Sequence, residues 1–299
     1  MNGKLQLKLQ VFGLCFRHTS RLGLVCLLLR PNRIELRLQD KQESKKTKST
    51  IMALLHSMEK SGNWLFRYRG QLPVLLVFIA IPFTLFAPFP PLSEAVKLGV
   101  AVLAGAISFL GLWIRAVTIG TTPRGTSGRN TQEQVAEVLN STGIYSMVRH
   151  PLYLGNYLMW LGIMVYSFSI SLVIISSLIY WIYYERIMFA EERFLERKFG
   201  DDYLKWSLLA PALIPRFSGY KPSSVPFSLK TVLRREYSGF LATVISFFVL
   251  DAARFAFWGE ASAPLSKSWP FILGATALVV VVLKGLKKFT SVLEVQGRS

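Results

Sequence analysis

Long uncharged segments alternate with short polar ones over most of the chain. Residues 71–93 and 151–184 carry no charged side chain, and the second segment has a serine-rich centre at residues 167–171 that favours a turn. At a rise of ~1.5 Å per residue, each half of that segment would extend roughly 25 Å, slightly less than the ~30 Å hydrocarbon core of a bilayer. The pattern predicts an all-α, polytopic membrane protein with about six transmembrane helices. The predicted spans lie near residues 72–92, 97–117, 151–167, 170–189, 237–258 and 267–285.

The predicted spans divide the chain into three parts. Residues 1–57 are basic and are expected to form a disordered or interfacial tail, residues 58–217 a membrane core, and residues 218–299 a C-terminal pair of membrane helices. Amphipathic patterns also predict short interfacial helices on the cytoplasmic side, over residues 131–139 and 191–206.

The charge distribution predicts the topology. The formal net charge is +18, yet lysine and arginine are concentrated before the first span, between spans two and three and spans four and five, and after the sixth. The alternate connections carry almost none. By the positive-inside rule, both termini and the polar motifs face the cytoplasm. The bilayer is therefore the expected partner of this basic surface, and no nucleic-acid partner is expected.

The supply of metal-binding and nucleophilic side chains is small. The only cysteines, Cys15 and Cys26, lie in the N-terminal tail, and His150 is the only histidine after the first span. No glycine-rich dinucleotide or phosphate loop occurs. We therefore expect no metal site and no thiolate chemistry in the membrane core.

Two charged motifs flank the uncharged segment. If the chain reverses at the serine-rich turn, His150 and the pair Glu191 and Glu192 meet at one membrane face. Adjacent carboxylates near a helix start and a basic pair are typical of a ligand site. A purely structural interpretation remains open, because a basic pair before a proline also suits a cytoplasmic helix end. In the fifth span, Asp251 and Arg254 lie three residues apart and could neutralise each other.

These motifs resemble those of a known family. A basic pair followed by proline and tyrosine precedes the uncharged hairpin, and a glutamate pair, a Phe-Gly dipeptide and a tyrosine follow it. The matching positions are Arg149-His150-Pro151-Leu152-Tyr153-Leu154-Gly155, Glu191-Glu192, Phe199-Gly200 and Tyr203. Together they resemble the isoprenylcysteine carboxyl methyltransferase family, which is similar in pattern to the membrane phospholipid methyltransferases.

The resemblance implies an S-adenosylmethionine-dependent methyltransferase whose donor binds at the cytoplasmic end of the hairpin, in a bacterial inner membrane. The donor-binding residues it implies are Asn130, Leu139, Tyr145, His150, Pro151, Leu152, Tyr153, Glu191 and Glu192. Arg149 and Arg186 would position the acceptor. A sulfonium cation suits aromatic faces and a carboxylate, and the donor carboxylate suits a helix start.

One position departs from the family pattern. The family has an arginine four residues before the glutamate pair, where this chain has Ile187, and its arginine is instead Arg186. One residue rotates a side chain by about 100° around a helix, so prenylcysteine is in doubt as the acceptor. We expect another lipid or lipid-anchored anion, with a phosphate or carboxylate oxygen that is methylated without a strong general base.

Two alternatives stay open at this point. Phospholipid N-methylation ranks second because an amine acceptor needs a group that removes its proton. A non-enzymatic membrane scaffold or transport protein could use the same hairpin for packing alone.

Overall fold

The computed structural model describes residues 33–86, 91–123, 125, 134–259 and 262–298. Within these residues the chain is helical, with no strand. The helices are α1 Arg33–Arg67, α2 Leu72–Phe86, α3 Glu94–Gly120, α4 Pro151–Val165, α5 Ile170–Phe199, α6 Asp201–Ser207, α7 Leu229–Trp258 and α8 Trp269–Phe289. Residues Ser57–Ser299 form one compact unit, and Met1–His56 belong to a separate one.

The predicted membrane architecture is confirmed. The helices α3, α5 and α7, and α8 with the turn before it, are long and apolar enough to cross a membrane, while α2 and α4 are shorter apolar helices. The fold is therefore that of an all-α, multi-pass membrane protein. Pro82 lies inside α2, which ends at Phe86.

The fourth span is longer than predicted. The helix α5 begins after Ser169, whose side chain accepts a hydrogen bond from the Leu172 amide, and it ends at Gly200, where φ is +52°. Its 30 residues extend about 45 Å, so the last turns reach beyond a ~30 Å hydrocarbon core. The stretch from Glu191 is thus a continuation of the span and not a separate interfacial helix. The following piece, α6, is a separate short helix as predicted.

One other segment differs from expectation. The helix predicted over residues 131–139 is absent from its described part, because residues 134–140 are irregular. Within the predicted tail, α1 runs from Arg33 to Arg67, which is compatible with an interfacial segment, and the tail's character stays a prediction. Residues 124 and 126–133, which include Arg124 and Arg129 in the basic connection between the second and third predicted spans, lie outside the described residues.

Helices α3 and α4 pack in close backbone contact. A Cβ atom at Gly111 would lie 2.5 Å from the Gly155 carbonyl oxygen, and one at Gly162 would lie 2.3 Å from the Ala104 carbonyl oxygen. The Ser108 hydroxyl also donates to the Met159 carbonyl at 2.8 Å. Glycine therefore sets the separation of the two helices that lead to the predicted site.

A buried ionic cluster joins the hairpin turn to α7 and α8. Asp251 accepts hydrogen bonds from the Tyr166 hydroxyl at 2.5 Å and the Trp269 indole at 2.7 Å. Arg254 lies 3.6 Å from the Asp251 carboxylate and is fully buried, with its guanidinium over the rings of Tyr166 and Phe168. The predicted neutralisation of Asp251 by Arg254 is confirmed.

Candidate active site

The start of α4 holds the histidine of the predicted site. Pro151 occupies the first turn, where its missing N–H costs nothing. His150 is the N-cap residue, with non-helical φ and ψ of −120° and 60°, yet its side chain makes no capping hydrogen bond. The imidazole is therefore available to groups outside the helix.

The segment after α6 fixes this turn from the other side. The amides of Arg149 and His150 donate to the carbonyls of Pro211 and Ala212, at 2.8 and 3.1 Å. Nearby, the Trp206 indole in α6 donates to the Tyr145 carbonyl at 3.0 Å. These bonds hold the turn between the hairpin and the chain that follows it.

The predicted meeting of His150 with the glutamate pair is observed. The imidazole Nε2 lies 2.9 Å from Glu192 Oε1, and Nδ1 lies 3.5 Å from Glu191 Oε2. Glu192 also lies 3.1 Å from Arg149 Nε. Each ring nitrogen thus faces a carboxylate, which suits the doubly protonated imidazolium.

The surroundings change the pKa values of two side chains outside the spans. Burial acts to lower the pKa of His150, but its hydrogen bonds to Glu191 and Glu192 and their charges outweigh burial and raise that pKa above its ordinary value. Burial, together with the charge of Glu191, raises the pKa of the Tyr145 phenol. Tyr145 therefore stays neutral, while His150 carries its charge at a higher pH than an exposed histidine.

Aromatic rings extend from His150 into the helices. The Tyr153 ring lies 5.6 Å from the His150 ring and 4.9 Å from the Tyr184 ring, between centroids. The rings of Tyr180 and Tyr184 stack at 4.1 Å, and the Tyr180 hydroxyl donates to the Tyr153 carbonyl at 2.7 Å. The polar end of the site is thus joined to a rigid aromatic wall.

A cavity of about 830 Å³ begins at these residues. Its polar end includes Tyr145, Arg149, His150 and Glu191. It continues between apolar side chains of α2, α4 and α7, which include Val74, Phe78, Met159, Trp160, Ile245 and Val249. Val74, Phe78 and Ile245 are also strongly exposed, so the apolar end of the cavity has an edge on the outer surface of the helices.

A second polar cluster lines the same cavity. Arg115 in α3 donates to both carboxylate oxygens of Glu236 in α7, from Nε at 2.7 Å and Nη2 at 2.8 Å. Its Nη1 donates to the Asn156 side-chain oxygen in α4 at 2.6 Å. Three helices thus meet in one charged group at the cavity.

The structure brings most of the predicted site residues together. Those that line the cavity are Leu139, Tyr145, Arg149, His150, Pro151, Leu152, Tyr153 and Glu191. Glu192 does not line it but holds Arg149 and His150 from behind. Asn130 lies outside the described residues.

The structure does not bring Arg186 to the cavity. Arg186 is not among the lining residues, and neither is Ile187, which is fully buried in the hydrophobic core. A role for Arg186 in positioning the acceptor therefore stays a prediction.

The sequence interpretation missed Arg115, Asn156 and Glu236. Arg115 lies near the end of the span predicted over residues 97–117, and Glu236 directly precedes the span predicted over residues 237–258. A charge at either position is as typical of a span end as of a site. No spacing rule connects positions that are 121 residues apart.

Comparison with known proteins finds a family match over the part of the chain that contains most of the candidate site. Residues 96–202 match the phospholipid methyltransferase family. The chain is 32% identical over 78 residues to a protein-S-isoprenylcysteine O-methyltransferase of Schizosaccharomyces pombe, covering 26% of this chain and 33% of that protein. These findings confirm the family resemblance and support a membrane methyltransferase.

Two bacterial relatives carry other names. The chain is 32% identical over 137 residues to a nickel-cobalt-cadmium resistance protein of Alcaligenes xylosoxydans xylosoxydans, covering 44% of this chain and 61% of that protein. It is 33% identical over 86 residues to a cobalt-zinc-cadmium resistance protein of Cupriavidus metallidurans, covering 29% and 39%. The chain thus spans less than two thirds of each of these relatives. No solved structure matches it significantly.

Proposed function

We propose that this protein is an integral membrane methyltransferase that uses S-adenosylmethionine to methylate an oxygen of a lipid-embedded anion. The observation that carries the proposal is the single cavity of about 830 Å³, which joins a charged, aromatic end at His150 and Glu191 to an apolar end between helices. A polar donor and the chain of a lipid acceptor would occupy these two ends. Pockets of roughly 300–1,000 Å³ are typical of small-molecule sites.

The polar end fits the chemistry of the donor. Glu191 keeps 30% of its side chain exposed while it touches His150, so one carboxylate remains accessible to the cavity. It would hold polar or cationic groups of the donor, and the rings of Tyr145 and Tyr153 would face the sulfonium. The positive charge of the His150 imidazolium and the N-terminal end of α4 would attract the donor carboxylate electrostatically.

The charge of the cavity favours an anionic acceptor. Its lining includes four arginines, Arg69, Arg115, Arg149 and Arg235, and two glutamates, Glu191 and Glu236. Positive charge therefore exceeds negative charge before any ligand enters. A cationic or neutral amine headgroup would gain less from this lining, so O-methylation is favoured over N-methylation.

An anionic oxygen also reduces the demands on the protein. When bound, S-adenosylmethionine supplies an electrophilic methyl group on a sulfonium sulfur, which accepts the electron pair of the broken carbon–sulfur bond. Since the acceptor oxygen has no proton to lose, the side chains need to align it with that methyl group and exclude water. Arg149 would orient the acceptor, and the exposed edge at Val74, Phe78 and Ile245 would admit its hydrocarbon chain from the bilayer.

We place the protein in a bacterial inner membrane, and the positive-inside pattern supports an orientation with the site and both termini on the cytoplasmic side. A donor that is made in the cytoplasm would then reach the polar end directly.

The proposal is tested by methyl transfer in membranes. Membranes containing the protein would be incubated with methyl-labelled S-adenosylmethionine, and the labelled lipids would be separated and the methylated atom identified by fragmentation in a mass spectrometer. We expect label on an oxygen of a lipid, and none with Glu191→Gln. Label on nitrogen would indicate N-methylation, and no label in lipid or lipid-anchored protein would contradict the function.

A further inference from the structure

The cluster of Arg115, Glu236 and Asn156 has no part in the donor site described above. It lies in the same cavity, further along α4, because Asn156 follows His150 by six residues, or about 9 Å of helix. Glu236 also comes from α7, beyond residues 96–202 that match the methyltransferase family. The last pair of spans therefore adds a charged group to this cavity.

The geometry leaves donors on the guanidinium. Arg115 has five N–H groups, and its bonds to Glu236 and Asn156 use three of them. The remaining two belong to Nη1 and Nη2, the terminal nitrogens. The planar group is fixed by its bidentate contact with Glu236, so these two donors have a defined direction.

The cluster is only partly shielded. The side chain of Arg115 is 19% exposed and that of Glu236 is 10% exposed, and both line the cavity together with Asn156. Close packing keeps the arginine stem in place, since a Cβ atom at Gly155 would lie 2.6 Å from Arg115 Cγ. The charged end is thus held at the cavity surface instead of extending to the interface.

We propose that Arg115 binds the anionic headgroup of the lipid acceptor and that Glu236 is a positioning residue that fixes the guanidinium. This inference rests on the proposed function, for which it specifies a two-oxygen anion, phosphate or carboxylate, as the acceptor group. A bidentate contact with a guanidinium is matched by both anions.

Binding of defined lipids tests this assignment without methyl transfer. The protein would be placed in nanodiscs of neutral phosphatidylcholine, and its melting temperature measured against increasing dioleoyl phosphatidic acid, oleate or uncharged dioleoylglycerol. A ligand that binds only the folded state raises its stability, so the shift reports affinity. We expect both anions to stabilise the wild type and dioleoylglycerol to do so at least tenfold less well.

The two partners should respond in opposite directions. Arg115→Gln is expected to weaken binding of the anions at least tenfold. Glu236→Gln removes a carboxylate beside the guanidinium and is expected to keep or tighten that binding, while lowering kcat in the methyl-transfer assay. Equal losses in both variants would mean that the pair only maintains the fold, and an unchanged affinity in Arg115→Gln would overturn the assignment.

Two further variants keep the test decisive. Removing one partner leaves a partly buried charge unpaired, so the double variant Arg115→Gln with Glu236→Gln provides a neutral pair and should also lose anion binding. Arg234→Gln is the matched control, because Arg234 forms a more exposed pair with Glu294 outside the cavity lining, and it should bind within twofold of the wild type.

Titration with S-adenosylmethionine separates this inference from the proposed function. Donor binding with unchanged anion affinity in Arg115→Gln would overturn the inference and leave the function standing. The opposite result is also informative. If Arg115→Gln loses anion binding but the wild type binds no donor, the inference stands and the proposed function is contradicted. Phosphatidic acid and oleate, compared with each other, distinguish the phosphate from the carboxylate.

Discussion

The hairpin of α4 and α5 carries an ionic cluster near each of its ends, and the two clusters differ in access. His150, Glu191 and Glu192 line or adjoin a large cavity, and both carboxylates are about a quarter or more exposed. Asp251 and Arg254 are at most 1% exposed and line no cavity among the described residues. The first arrangement can receive a ligand, whereas the second can only hold helices together.

The difference shows that charge alone does not distinguish a ligand site from a structural contact. What distinguishes them is whether the charged group already has all its hydrogen-bond and ion-pair partners within the fold. Asp251 receives hydrogen bonds from Tyr166 and Trp269 and an ion pair from Arg254, so its acceptors are used within the fold. Glu191 contacts His150 at 3.5 Å and still faces the cavity.

The largest effect is expected at the closed cluster. Asp251→Ala leaves Arg254 buried without a counter-charge, and it should lower the free energy of unfolding by about 3–5 kcal/mol. Thermal unfolding in detergent micelles measures it. Asp251→Leu combined with Arg254→Met should regain much of the loss, and donor affinity of the folded fraction should not change. A single variant as stable as the wild type would contradict the structural role.

A smaller effect is expected behind the open cluster. Glu192→Ala removes the acceptor shared by His150 and Arg149, which should lower the free energy of unfolding by about 1.5–3 kcal/mol because charged groups lose their hydrogen bonds. Glu196→Ala is the control on the same helix, since its pair with Arg193 is exposed and contributes about 0–1 kcal/mol. Chemical denaturation of both variants compares them, and equal losses would refute the special role of Glu192.

The pH dependence of stability should reveal His150. Contacts with Glu191 and Glu192 raise its pKa in the folded state above the ordinary value of ~6.5, so the folded protein binds the proton more tightly than the unfolded chain. The stabilisation is therefore fully present below about pH 6.5 and is lost as the pH rises through the raised pKa. The difference in unfolding free energy between wild type and His150→Gln should fall along that interval, and a difference that grows with pH would have the wrong sign.

The smallest effect is expected at the surface. Glu294→Gln breaks an ion pair with Arg234 that spans 3.5 Å and is 61% exposed at the glutamate. The substitution should change the free energy of unfolding by less than about 1 kcal/mol. Because salt screens exposed charges, this change should become smaller at high salt. A salt titration of the melting temperature checks this, and a loss comparable to that of Glu192→Ala would be inconsistent with the ranking.

Hydropathy was sufficient to predict the spans and the meeting of His150 with Glu191. Both follow from a helical rise and a turn, which depend on local sequence. The length of α5 was missed because polar residues at a helix end look the same whether the helix continues or restarts. Residues 134–139 belong to a predicted helix, yet in the structure they are irregular, and all of them except Glu137 line the cavity.

The site was predictable where one short motif or the hairpin turn brings its residues together. Tyr145, His150 and Tyr153 come from a single short segment, and the turn brings Glu191 to them. The contact between Arg115 and Glu236 depends instead on how α3, α4 and α7 pack. Packing between helices that are distant in the sequence is therefore what the sequence alone could not predict.

Isothermal titration calorimetry of the purified protein with S-adenosylmethionine most directly tests the central claim, which is that the donor binds at Glu191. The account predicts saturable binding to the wild type, a loss of about 10- to 150-fold in affinity with Glu191→Gln, from the ~1.5–3 kcal/mol of a charged hydrogen bond, and no loss with Glu196→Gln. Equal affinity in all three proteins, or no binding to the wild type, would contradict it.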